Sequence, residues 1–136
     1  MRIVLDTNVL VSALLFGGIP QEIIDFVSEG EVQLVISPPL FSELKEVLEE
    51  KFNLSRARTG QHLADLWAVA HIVTPRKKVR VFAGKDEPDN RVLECAIEGQ
   101  LDAIVTGDRK ILRRKNYQGI PILTPAQFLT YFRTNR

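Results

Sequence analysis

The sequence is poor in cysteine: Cys95 is the only one in 136 residues, so no internal disulfide can form. That absence excludes a disulfide scaffold and suits a reducing, cytoplasmic interior. Long apolar runs are missing too. The longest stretches are a few residues, far short of the ~20 that span a membrane. Asp6 and Asn8 interrupt the first apolar stretch, so no secretory leader is expected. Only two histidines occur, His62 and His71. They lie on one expected helix as structural or surface groups, and no serine has a histidine–acid context for a triad. Net charge is +1, so bulk charge points to no partner.

What is present fits one globular domain covering residues 1–136, with 45% hydrophobic and 26% charged residues. Charge is unevenly spread. Residues 1–50 carry 2 basic and 9 acidic side chains, and residues 51–136 carry 16 basic and 8 acidic. Such a division can pair an acidic cation-binding centre with a basic surface for a polyanion, or be two ordinary solvated faces.

Short all-apolar segments alternate with helical patterns. Arg2–Leu5, Gln33–Ile36, Ala103–Val105 and Pro121–Leu123 read as strands, with a short one at Ile72–Thr74 and an edge strand at Lys78–Phe82. Helices are expected over Val9–Phe16, Pro20–Ser28, Pro38–Phe52, Ser55–Ala70, Pro88–Glu98 and Asp108–Leu112, with a last one after Thr124. Trp67 reads as core, and Cys95 as buried and inert. Wholly apolar strands between helices predict an α/β fold, a parallel sheet covered on both sides. Ligands then gather beyond the carboxyl ends of the strands.

Four acids are expected at that edge. Asp6 follows the first strand directly, and Asp108 lies two residues past Ala103–Val105. Asp89 opens the helix that feeds that strand, and Glu43 sits one turn into the helix after Gln33–Ile36. Packed carboxylates repel unless a positive group joins them, and a hard dication such as Mg²⁺ or Mn²⁺ does so through oxygen ligands. Each acid also has an ordinary reading: a turn for Asp6, a solvated helix position for Glu43, a helix-terminal charge for Asp89, an N-cap for Asp108. Asp86 is either a neighbour supporting the site or a loop acid. Thr7, Asn8, Asn90 and Thr106 can orient carboxylates or water, or satisfy turns and helix ends.

Five blocks, in order, resemble the PIN-domain ribonucleases: DTNVLVSALL at 6–15, SPPLFSELKEVL at 37–48, DEPDNRVLECA at 86–96, AIVTGDRKIL at 103–112 and ILTPAQFL at 122–129. The resemblance spans nearly the whole chain, except 71–85. It implies a three-layer α/β/α sandwich with a central parallel sheet. It also implies a Mg²⁺- or Mn²⁺-dependent ribonuclease of the prokaryotic, toxin-like type, with an antitoxin partner and a homodimeric state; the short apolar runs argue for no membrane. Asp6, Glu43, Asp89 and Asp108 match the family's acidic set and are the catalytic and metal-binding candidates. Arg109, Lys110, Arg113 and Arg114 follow Asp108 directly and are the candidates for RNA backbone contact, or else a solvated helix end. The competing readings are a non-catalytic RNA- or protein-binding relative, a phosphoacceptor receiver domain and a DNA-specific nuclease.

Overall fold

The computed structural model describes all 136 residues. Its centre is a six-stranded sheet of β1 (Arg2–Leu5), β2 (Gln33–Ile36), β3 (His71–Ile72), β4 (Ala103–Val105), β5 (Asn116–Tyr117) and β6 (Ile120–Leu123). The spatial order is β3-β2-β1-β4-β6-β5, parallel throughout except for the β5–β6 pair. The side chains of Ile3, Val4, Leu5, Leu34, Val35, Ala103, Ile104 and Val105 are wholly buried. A strand covered on both faces has no need of alternating polarity, which is why these segments are apolar throughout.

The helices are α1 (Thr7–Leu15), α2 (Gly18–Ser28), α3 (Pro38–Glu46), α4 (Arg56–Val69), α5 (Asn90–Gly99), α6 (Arg109–Leu112) and α7 (Pro125–Asn135). α5 packs on β1 and β2, and α7 packs on β4 and β6 with α2 beside it. The result is an α/β/α sandwich. Several helix starts follow local chemistry. Ser55 accepts from the Arg58 N–H at 3.1 Å, and Thr124 and Gln127 form a reciprocal capping box before Pro125. Gly17, at φ 77°, permits the 91° bend between α1 and α2. No single helix is long and apolar enough to cross a membrane.

Several details differ from the sequence reading. The helix begun at Pro38 continues past Glu46 as a π-helical segment, Val47–Lys51. The helix expected from Pro88 is preceded by a 3₁₀ segment, Gly84–Asp89, that carries Asp86 and Asp89. Gln100, at φ 52°, takes the left-handed position after α5. Gly99 is needed for a different reason: a Cβ there would lie 2.8 Å from Val35 Cγ1, so the helix end can approach β2 only as glycine. β5 was not foreseen, because two residues show no periodicity. Trp67 is not core; it is 55% exposed and leans on Phe41 with ring centroids 5.0 Å apart. Cys95 is buried as expected, and burial pushes its thiol up to about 12.

Lys78–Phe82 is not an edge strand. Its backbone is bound by acceptors on α5 instead of by a neighbouring strand. Glu94 Oε2 accepts from Val79 N at 3.0 Å. Asn90 Oδ1 accepts from Val81 N at 3.1 Å and Phe82 N at 2.9 Å, and Asn90 Nδ2 donates to the Phe82 carbonyl at 2.8 Å. Asn90 is buried, and its amide is committed to this clamp. Asn90→Ala is therefore expected to cost about 2–3 kcal/mol, since it strands the backbone groups it served. Urea unfolding measures this, and an unchanged midpoint would contradict the clamp.

Candidate functional site

The parallel ladder carries Asp6 and Thr106 to the same edge. Asp6 N donates to the Val105 carbonyl at 2.9 Å, and Thr106 N donates to the Leu123 carbonyl at 2.9 Å, so both residues extend the pairing past the strand ends. The buried Asp6 carboxylate accepts from Thr7 N at 2.7 Å and from Thr106 Oγ1 at 2.8 Å. Thr106 Oγ1 in turn accepts from Asp108 N at 3.0 Å. One hydroxyl thus links the ends of β1 and β4. Asp108 caps α6, its Oδ1 accepting from Lys110 N at 2.8 Å and Ile111 N at 3.3 Å.

Asp89 ends the 3₁₀ segment directly before α5, and Glu43 lies half-buried on α3. Their electrostatics show how closely the acids are gathered. Asp6 is raised from its ordinary pKa by burial, opposed by its two hydrogen bonds, with Asp108 adding repulsion. Glu43 is raised by burial and then by the charges of Asp6 and Asp89. Asp89 is pushed up to about 6 by burial, Asp108 and Asp6. Asp108 goes the other way: burial raises it, but the hydrogen bonds from the Lys110 side chain and from the Lys110 and Ile111 N–H groups outweigh burial. The four acids predicted from sequence therefore lie within one another's fields.

The remaining candidates divide. Thr106 joins the acids. The Thr7 hydroxyl is buried near Glu43 and completes no hydrogen bond. Asn8 is exposed on the first turn of α1, and Asn90 is occupied by the clamp on Val81 and Phe82. Asp86 reaches the acids through Lys110, whose Nζ is 3.3 Å from Asp86 Oδ1, 3.2 Å from Asp108 Oδ2 and 4.0 Å from Asp89 Oδ2. This departs from the grouping of Lys110 with the arginines. Arg109, Arg113 and Arg114 are exposed, whereas the Lys110 ammonium turns inward onto carboxylates. Its position directly after the capping Asp108 and Arg109 was the available signal. Ser37 stands at the N-cap position before α3, yet its buried hydroxyl has no partner.

The donor set is all oxygen, with acids repelling one another and a free buried hydroxyl on Thr7, which suits a hard cation. The acids do not stand as a finished cage: no group of three or more His, Cys, Asp or Glu residues is close enough to hold a metal ion. The Lys110 ammonium lies instead against Asp108 and the neighbouring Asp86, with Asp89 at 4.0 Å. Beside Glu43 a groove of about 520 Å³ runs between the α3–π segment and the 3₁₀–α5 segment, lined by Glu46, Glu50, Lys51, Glu87 and Arg91. Its acidic walls oppose a phosphate backbone, so the exposed arginines after Asp108 offer the better approach for a polyanion.

Residues 2–110 match the PIN domain family, and the chain belongs to it. It is 28% identical to the uncharacterized protein MJ1680 of Methanocaldococcus jannaschii, over 97% of this chain and 92% of that one. Two solved structures share the fold. VapBC2 from Rickettsia felis, bound to a DNA fragment from its promoter, superposes with a TM-score of 0.65 at 17% identity, covering 90% of this chain and 97% of that one. PAE2754 from Pyrobaculum aerophilum gives 0.66 at 16% identity, covering 98% and 90%. The chain is thus a PIN domain protein that shares its fold with both structures.

The raised acids set a pH dependence. Asp89 titrates near 6 in the folded chain and near 3.8 when unfolded, so between these values the folded state holds a proton that the unfolded state has lost. Its contribution to stability therefore falls as pH rises through that window. Asp6 and Glu43 act in the same direction, while Asp108 acts oppositely and only below the ordinary carboxylate range. In chelator, Asp89→Asn is expected to gain stability relative to the parent at pH 7 and to lose that advantage at pH 4.5, measured by urea unfolding. A pH-independent difference would contradict the coupling.

Proposed function

We propose that this protein is a divalent-cation-dependent endoribonuclease, with Asp6, Glu43, Asp89 and Asp108 as the catalytic, cation-holding set. One observation carries the reading. Acids from four separated segments lie within one another's fields near the carboxyl edge of a parallel sheet, and three of them are pushed above their ordinary pKa. Mg²⁺ or Mn²⁺ held by these acids would supply Lewis-acid polarisation of a phosphodiester and would activate water.

The chain's own residues then have distinct tasks. Asp6 is the fixed point, held by Thr106 Oγ1 and the Thr7 amide so that one carboxylate geometry persists. Asp108 is held at the start of α6 by two backbone N–H groups. Asp89 and Glu43, held by no backbone N–H, complete the set, and Glu43 is the member assigned to take a proton from water. Arg109, Arg113 and Arg114 hold the RNA backbone without sequence preference, so binding weakens as salt rises. Attack of water in line leaves 5′-phosphate and 3′-hydroxyl ends. By kinship with the toxin–antitoxin PIN proteins, an antitoxin partner and a homodimeric state belong to the same proposal, as does a cytoplasmic location.

A second reading, a non-catalytic RNA- or protein-binding relative, is favoured by the Lys110 ammonium among the acids. Cleavage of single-stranded and structured RNA with Mn²⁺, Mg²⁺ or chelator separates the two, with a matched DNA strand run alongside. The expected result is RNA cleavage abolished by chelator and reduced more than ~100-fold in folded Asp6→Asn or Asp89→Asn protein. Equal cleavage in chelator, or none by the parent protein, would overturn the nuclease reading.

A further inference from the structure

Lys110 is the one basic side chain whose charged end lies within 4.0 Å of three carboxylates. Its backbone N–H is fixed to Asp108 Oδ1 at 2.8 Å, while its side chain folds back so that Nζ touches acids from two separate segments. Asp108 Oδ2 lies at 3.2 Å, Asp86 Oδ1 at 3.3 Å and Asp89 Oδ2 at 4.0 Å. Three carboxylates sharing one ammonium are under-compensated, and Asp6 and Glu43 add to the deficit.

From this geometry we infer that Lys110 is the resident cation of the acidic site and that a divalent ion loads by exchange, displacing the Lys110 ammonium from Asp86, Asp89 and Asp108. The inference rests on the proposed cation site and adds how that site is kept when no dication is bound. The lysine serves two ends. It relieves repulsion that would otherwise open the edge between the 3₁₀ segment and α6. It also sets a threshold, since a dication must offer more than the ammonium it replaces. The backbone tether keeps the displaced ammonium at the start of α6, beside Arg109, where a polyanion can use it. Lys110 is thus a positioning residue for the acids.

Lys110→Met keeps the aliphatic stem and removes the charge. Mn²⁺ titration by calorimetry is expected to show about three- to fivefold tighter binding in this variant, with a lower melting temperature in chelator. Lys110→Arg, which retains charge, should melt in chelator close to the parent. A second measurement needs no variant to fold: in the parent protein, the Lys110 side-chain ¹⁵Nζ resonance should move to the position of solvent-exposed lysines as Mg²⁺ is added, in step with Mg²⁺ binding. Unchanged or weaker Mn²⁺ affinity in Lys110→Met, or a Lys110 resonance that stays still while Mg²⁺ binds, would overturn the exchange and leave the cation site standing. Failure of the parent to bind either ion would overturn both.

Discussion

Repulsion among carboxylates at one edge of the sheet is the constraint on which the rest of this molecule turns. Asp6, Glu43, Asp89 and Asp108 come from four distant parts of the chain and raise one another's cost of ionisation. A fold selected for stability alone has no reason to gather them. The structure tolerates them by three means: hydrogen bonds to Asp6 and Asp108, a pKa near 6 that lets Asp89 hold a proton close to neutrality, and the Lys110 ammonium. All three are partial remedies, and a dication would relieve the same repulsion more completely.

The sheet makes the arrangement possible because its central strands are parallel. Asp6 and Thr106 follow neighbouring strands, β1 and β4, whose register pairs Leu5 with Val105. The next residues must therefore be neighbours too, and Thr106 Oγ1 closes the link to Asp6 at 2.8 Å. Packing stiffens this edge. Leu5, Val105 and Thr106 are wholly buried, so the backbone that aims Asp6 has little room to move. The acids reached through helices, Glu43 and Asp89, lack that bracing, which suits residues that adjust to an ion or a substrate.

The parts legible in the sequence are those governed by local or strongly patterned physics. Buried strands such as Ala103–Val105 declare themselves by composition, and the Thr124 cap by its spacing to Gln127. The expectation that the four acids gather followed from reading two wholly apolar strands as central, from the rule that a helix feeding a parallel strand begins at the carboxyl edge, and from the reach of the Glu43 side chain. What stayed hidden depended on long-range partners. Lys78–Phe82 alternates like a strand, but Glu94 and Asn90 side chains satisfy its backbone, and no local pattern reveals that. Trp67 lies on a helical stripe yet remains exposed, because α4 buries only Thr59 and Leu66. Lys110 belongs by sequence to a basic run, and only the fold brings Asp86 and Asp89 within its reach.

The proposed chemistry requires that this edge accept a divalent cation among the acids. A crystal of the protein soaked in Mn²⁺ and measured at an energy where manganese scatters anomalously addresses that directly. The predicted result is one or two anomalous peaks bounded by Asp6, Asp89 and Asp108, with Glu43 within reach directly or through water. No peak there, with the Lys110 ammonium still seated among the acids at saturating Mn²⁺, would contradict it.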